Sequence, residues 1–267
     1  MKTKNISKET NLYDCPYLMS TKETHDIVFD IHKHEAGVEP YFHYHERTLL
    51  LHAVKGVMTV NSSKGIWVVP PMRAVWIPAG TPHFAEYSRG LVLCGAMLKP
   101  ELCENMPKQC CVVSVSPLLR ELLLHAASIP LSKLSSGHAR KVITLILDML
   151  ETLETRPLKL PMPVDPRLRK ICNILINNPA NNQTLEQLSK GAGASSRTAA
   201  RHFNTETNMT FTKWRQQLRL LEALKKLAEG SQVKEVALQT GYESTSAFIN
   251  MFKNALGVTP RQYFHKK

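Results

Sequence analysis

The chain has 267 residues, enough for two domains of ordinary size. Nothing in it approaches the roughly 18 consecutive apolar residues of a membrane-spanning helix, and the start, MKTKNISKETNLYD, is too polar for a secretory leader, so a cytoplasmic protein is expected. The formal net charge of +12 is segregated, with 16 Lys and Arg against 6 Glu and no Asp from Pro166 to Lys267; such a block suits nucleic acid, an anionic membrane or an acidic partner, and motifs must decide among them.

From about residue 25 to about residue 100 the chain reads as strands. VFDIHKHE, TLLLHAVKGVMTVNSS, GIWVVPPMRAVWIPAG and GLVLCGAML are β-branched or aromatic runs punctuated by Gly, Pro, Asn and Ser, the texture of a small sandwich or barrel. From Ser116 the apolar residues recur at helical spacing, with Val142, Leu145, Ile146, Met149, Leu150 and Leu153 in one stripe. This predicts a helical hairpin whose apolar face serves either the core or a dimer interface. The segment TRPLKLPMPVDPRL holds 4 prolines in 14 residues, which disfavours helix and strand and predicts an extended, semi-rigid connector. The expected fold class is α+β in two domains: a β-barrel over 1–110 with its hairpin over 111–155, a connector over 156–166, and an all-helical domain over 167–267. The 6 cysteines, Cys15, Cys94, Cys103, Cys110, Cys111 and Cys172, lack CxxC or Cys/His zinc spacing. Reduced, mostly buried thiols are therefore expected, rather than a disulfide framework or a zinc finger.

The helical part contains a duplicated unit. Thr184 can cap a helix with Leu185 and Leu188 inward, followed by the break Gly191-Ala192-Gly193. Ser195 or Ser196 caps the next helix, with Ala199, His202 and Phe203 on one side and Arg197, Ala200, Arg201 and Asn204 on the other. Further on, Val233, Val236, Ala237 and Leu238 build a short helix and Gly241 makes a turn. Ser244 then caps a helix with Phe248, Met251, Phe252 and Ala255 inward and Thr245, Ser246, Asn250 and Lys253 outward. Phe203, Asn208 and Thr210 match Phe252, Gly257 and Thr259 at identical spacing, and Asn and Gly are the residues that tolerate the left-handed conformation after a helix. TKWRQQLRLLEALKKLAE forms a long helix between the units, with Leu218, Leu221, Ala223, Leu224 and Leu227 inward. An α-helix fits the major groove of B-DNA, where Arg pairs with guanine O6 and N7, and this is the chemistry assigned to Arg197 and Arg201.

TLEQLSKGAGASSRTAARHFNTETNMTFTKWRQQLRLLEALKKLAEGSQVKEVALQTGYESTSAFINMFKNALGVTPRQYF resembles the DNA-binding domain of the AraC/XylS family of transcription regulators. The C-terminal signature of that family is matched at Gly241, Phe248, Phe252, Gly257, Thr259-Pro260 and Tyr263. The resemblance implies that Arg197, Ala200 and Arg201 approach bases from the first unit, and Thr245, Ser246, Ala247 and Asn250 from the second. Ala200 and Ala247 offer only apolar contact to a thymine methyl. Ser196, Lys190, Lys213, Arg215, Ser244 and Lys253 are candidate phosphate contacts. The two readers are expected in successive major grooves, roughly 10 base pairs apart.

In the strand-rich part, FHYHERTLLLHAVKG and VVPPMRAVWIPAGTPH carry His43, His45 and His83. Histidines at i and i+2 on a strand point to the same side. The pattern resembles the cupin fold, whose motifs are HxH with a later Glu and PxGxxH; Pro78, Gly80 and His83 fit the second. The first departs, because Glu46 follows His45 immediately and Leu49, Leu50 and Leu51 stand where the family's metal-binding Glu or Gln belongs. Three histidines alone can hold a divalent zinc, iron or nickel ion, or line a small-molecule pocket with Tyr41 and Trp76, with Trp67 a further aromatic candidate. No cofactor beyond that metal is implied.

The sequence thus reads as a non-enzymatic DNA-binding regulator, activator or repressor. Its expected partners are double-stranded DNA, a small-molecule effector, a second copy of itself and RNA polymerase. Regulators of this build often resemble controllers of a neighbouring transporter or efflux gene. The competing readings are an architectural DNA binder with little sequence preference and a cupin metalloenzyme fused to a DNA-binding domain.

Overall fold

The computed structural model describes residues 25–38, 42–192 and 195–265. Its first part is built on two antiparallel sheets. The six-stranded sheet runs β1 (Ile27–His34), β8 (Leu91–Leu98), β3 (Thr48–Lys55), β6 (Arg73–Ile77), β9 (Cys111–Ser114) and β10 (Thr155–Arg156). The five-stranded sheet runs β11 (Lys159–Pro161), β5 (Gly65–Val69), β4 (Met58–Ser62), β7 (Phe84–Tyr87) and β2 (Gly37–Val38). The expected barrel thus takes the form of two facing sheets. Leu49, Leu51, Val75 and Ile77 from one, with Met58, Val60, Trp67 and Val69 from the other, share a single buried cluster.

The six-stranded sheet is covered on its second face as well. Helices α1 (Pro117–Ser128) and α2 (Gly137–Glu151) form the hairpin, and Leu119, Leu123, Val142, Ile146 and Leu150 bury there against Leu50, Ala74 and Trp76. Alternate residues of a strand face opposite sides, so Leu49 and Leu51 enter one core and Leu50 the other. That is why TLLLHAV is continuously apolar rather than alternating. Ser116 Oγ accepts from Leu119 N at 3.1 Å and Ser136 Oγ from Ala139 N at 3.2 Å, starting the two helices. The stripe predicted on α2 is wider than the line actually buried: Val142, Ile146 and Leu150 are inside, whereas Leu145 is 43 % exposed.

The proline-rich segment is extended and belongs to the sheets. β10 adds an edge to one sheet by pairing with β9, and β11 adds an edge to the other by pairing with β5. Edge positions accept proline because one row of N–H groups has no ladder partner to lose. Both these strands and the strand β9, which opens the expected hairpin region, escaped the sequence pattern.

The second part is helical: α3 (Pro166–Asn177), α4 (Leu185–Ala192), α5 (Ser196–Thr207), α6 (Phe211–Ala228), α7 (Val233–Gln239), α8 (Thr245–Leu256) and α9 (Pro260–His265). Helix α6 packs on β11. Trp214 Nε1–H donates to Pro161 O at 2.7 Å, and the Gln217 amide donates to Pro157 O and to Lys159 O. Leu158 and Leu160 share one buried cluster with Trp214, Leu218 and Leu221, so the sandwich and the helices are joined by a continuous core. No helix among the described residues is long and apolar enough to cross a membrane. Cys94, Cys103, Cys110, Cys111 and Cys172 are free thiols; burial pushes Cys111 up to about 11 and Cys110 higher still, which suppresses thiolate chemistry. Cys15 lies outside the described residues.

Candidate nucleic-acid interface

The first unit opens with a reciprocal cap: Thr184 Oγ1 accepts from Gln187 N at 3.2 Å while Gln187 Oε1 accepts from Thr184 N at 2.8 Å. Helix α4 continues through Gly191 and Ala192, so those two residues of the expected break are helical; Gly193 and Ala194 lie outside the described residues. Ser195 is the N-cap of α5, its Oγ accepting from Thr198 N at 3.2 Å, which leaves Ser196 in the first turn. Ala199 and Phe203 are buried and His202 is half-buried. The Phe203 ring meets Phe211 and Trp214 edge-on at 5.6 and 5.7 Å. This anchoring turns Arg197, Ala200, Arg201 and Asn204 to solvent.

The second unit repeats the frame. Gly241 makes the turn at φ +79°, and Ser244 Oγ caps α8 by accepting from Ala247 N at 3.2 Å. Phe248, Met251 and Phe252 are buried, and Ser246, Ala247, Asn250 and Lys253 are exposed, with Thr245 half-buried. Helix α5 ends at Asn208 with φ 55° and α8 at Gly257 with φ 80°. Both are left-handed, at the matched positions where the sequence placed Asn and Gly. Two inward assignments are corrected. Leu238 is 60 % exposed because α7 turns Val233, Val236 and Ala237 to the core and Leu238 away from it. Ala255 is exposed because the last turn of α8 presents Leu256 to the core in its place.

The candidate phosphate contacts separate into two kinds. Lys213 and Lys253 are exposed, and Lys190 is paired with Glu186 at 3.3 Å on an open surface, where such a pair contributes little. Arg215, also a candidate phosphate contact, is half-buried. It lies one turn after Phe211, and its guanidinium stacks on that ring at 4.6 Å and donates to Gln183 O. Beside it a groove of about 670 Å³ opens between the two units, lined among others by Thr184, Ala200, Thr212, Gln216 and Tyr242.

The helix-turn-helix domain family matches residues 188–266. Over 237 residues the chain is 35% identical to the HTH-type transcriptional regulator NimR of Escherichia coli strain K12, a match that covers 89% of this chain and 86% of that protein. The chain belongs to the AraC/XylS family of transcription regulators. RipA of Corynebacterium glutamicum, another HTH-type transcriptional regulator, is 30% identical over 120 residues, 45% of this chain and 36% of its own. Among solved structures, fatty-acid-bound ToxT from Vibrio cholerae aligns over 89% of this chain and 94% of its own, with a TM-score of 0.38 and 11% identity. As an AraC/XylS regulator the chain is a DNA-binding protein, and its paired units are the family's DNA-binding domain.

The sandwich of this AraC/XylS chain holds a second candidate site. His43 and His83 face each other in an isolated bridge, with N–H to O bonds of 2.9 and 2.8 Å in the two directions. Gly80, at φ +72°, donates to His45 O at 2.8 Å and so brings the third residue in. All three histidines are buried, and one ligand nitrogen from each lies within 4.8 Å of the others. His83 Nδ1–H donates to Thr81 O at 2.8 Å, a bond that fixes the orientation of its ring. Burial, reinforced by the neighbouring imidazoles, pushes His45 down to about 3; burial, partly offset by the Thr81 bond, pushes His83 down to about 4. Both are therefore neutral donors, and His45 Nδ1 is buried without a hydrogen-bond partner. Neutral, converging imidazoles with an orphaned nitrogen fit a divalent cation. Glu46 is exposed and Leu49, Leu50 and Leu51 are buried, so the trio gains no carboxylate from this stretch.

The aromatic candidates distribute differently from expectation. Trp76 lies on the other face of its sheet, under the hairpin, with Nε1–H donating to Pro107 O at 2.8 Å. It pairs with Leu50 and shares its outward parity, so it cannot line a pocket between the sheets. Trp67 does face the inter-sheet core, and Tyr41 lies outside the described residues. Sequence reasoning missed a further cluster, Asp165, His202 and Glu206, in which Glu206 Oε2 accepts from Val164 N and Asp165 N at 2.6 and 3.0 Å. The i, i+4 spacing of His202 and Glu206 was visible, but Asp165 joins them only through the docking of the connector on α5.

Proposed function

We propose that the chain is a dimeric, sequence-specific cytoplasmic regulator in which residues 167–267 read two successive major grooves while residues 1–155 sense an effector. The observation that carries this reading is the pair of like-framed units. Each is anchored by a buried Phe and closed by a left-handed residue, and each turns the outer face of its second helix to solvent. In this reading Arg197, Arg201 and Asn250 supply the hydrogen bonds to base edges, Ala200 and Ala247 supply apolar contact, and Thr245 and Ser246 complete the second reader. Ser196, Lys190, Lys213, Ser244 and Lys253 hold the phosphates and set the register without reading sequence. The exposed Leu118 and Leu145 of the hairpin helices support a two-fold interface with a second copy.

The His43–His45–His83 trio is the sensing site of this proposal. His43, His45 and His83 would hold a divalent ion there, and the ion would supply Lewis acidity toward an effector with a polar head. Selection of binding sites from random duplexes by the full chain at about 150 mM salt tests the DNA reading. The expected result is a motif with two informative blocks roughly 10 base pairs apart. Salt-sensitive binding with no enriched motif would instead describe an architectural binder.

A further inference from the structure

The two units are held in register at a point outside the signature residues matched above. Arg219, in the middle of α6, sends its guanidinium between them. Nε–H donates to Pro179 O at 3.0 Å, and Nη2 donates to Asn182 Oδ1 at 2.7 Å and Asn181 O at 3.5 Å, all in the loop that leads into the first unit. Nη1 donates to Gly241 O at 3.2 Å, the turn of the second unit. The same group lies 5.5 Å above the ring of Tyr242. Gly241 is left-handed, and a Cβ there would stand 2.6 Å from Arg219 Nη2 and 2.9 Å from Ala180 Cα, so backbone from both units closes around one side chain.

We infer that Arg219 is a positioning residue for DNA reading, the brace that fixes the separation and rotation of α5 relative to α8 and thereby the spacing of the two blocks the protein accepts. A guanidinium suits the task because its planar fork serves several carbonyls in fixed directions, whereas an ammonium is a point donor. Four acceptors from two segments converge on it, so its removal frees the loop and the turn from each other and replaces none of the side chains assigned to base contact. Binding by a second tethered reader is governed by effective concentration, which falls once the two readers no longer hold the geometry of their sites.

The inference rests on the two-groove reading, and one experiment separates them. Site selection from random duplexes is run in parallel on the wild-type chain, Arg219→Lys, Arg219→Gln and Asn182→Ala, and block spacing is scored apart from block sequence. The expected result is a single sharp spacing for wild type. Both Arg219 variants should keep the same block sequences with a spread of spacings, and the advantage of two-block over one-block duplexes should fall by about 10-fold or more. Asn182→Ala should shift in the same direction by less. Variants that keep the wild-type spacing distribution, or that lose binding to one-block and two-block duplexes equally, overturn the inference and leave the two-groove reading standing. A wild-type selection without two blocks overturns both.

Discussion

The sandwich buries four histidines, while the reading helices of the second part display their cations. His43, His45, His52 and His83 are all inside the first part, whereas Arg197, Arg201, Lys213 and Lys253 of the second stand in solvent over an apolar base of Phe203, Trp214, Phe248 and Phe252. The difference follows from what each part must meet. A DNA backbone is met at long range by mobile, hydrated cations, and a small ligand is met at short range by dehydrated donors in fixed directions. The two parts should therefore answer to different variables, pH for the first and salt for the second.

The largest expected effect breaks the comparison at His52. Burial drives this residue down to about 4, its bond from Nδ1 to Arg73 O at 2.9 Å opposing the shift only in part. Below the ordinary value of 6.5 the unfolded chain takes up a proton that the folded chain refuses, so stability falls as pH drops from there and levels off near 4. At about 1.4 kcal/mol for each unit this amounts to about 3 kcal/mol, and His45 and His83 steepen the same slope. Urea melts of the full chain near neutral pH and near pH 4 check it: the His52→Gln variant should lose about 3 kcal/mol less than wild type over that interval. A variant with an unchanged slope would show that His52 is not the proton-refusing group.

How far the sequence discloses each part follows the same division. The frame of the reading units was legible because local rules fix it: only Asn or Gly readily enters the left-handed well, so Asn208 and Gly257 announced the ends of α5 and α8. The sandwich was legible as strands but not as pairings. β10 and β11 exist only through partners about 40 to 90 residues earlier, and no local pattern in a proline-rich segment forecasts them. Trp76 and His52 were hidden by double coverage, since a strand apolar on both faces gives no parity from which to choose the inner side. The histidine trio was legible at the level of motif, while the neutral state of His45 and His83 needed the burial that only the fold supplies. Arg215 and Arg219 read as two more cations on a basic helix; their carbonyl acceptors lie at least 22 residues away along the chain.

A middle effect sharpens the comparison within the helical domain. Arg201→Ala should cost about 1 to 3 kcal/mol on the selected site and relax the choice of base at one position. Asn250→Ala, which removes an uncharged side chain from the second reader, should cost less and leave the salt slope of binding unchanged, because no charge is removed. Titrations at two salt concentrations on matched and base-substituted duplexes measure both quantities. Equal losses on every duplex would move Arg201 from base reading to phosphate contact.

The smallest effect tests whether the two units really share a frame. Gly257 sits at φ 80°, and a Cβ there would meet no atom within 4 Å, so Gly257→Ala introduces backbone strain without collision. The left-handed well costs a residue with a Cβ about 1 to 2 kcal/mol, and the melting midpoint should fall accordingly. Asn208 occupies the equivalent position at φ 55° in the first unit. Asn208→Gly should therefore be close to neutral, since relief of strain is offset by the greater freedom of glycine in the unfolded chain. If Asn208→Gly destabilised as much as Gly257→Ala, the asparagine side chain would be contributing something the glycine cannot, and the equivalence of the two helix ends would be of shape alone.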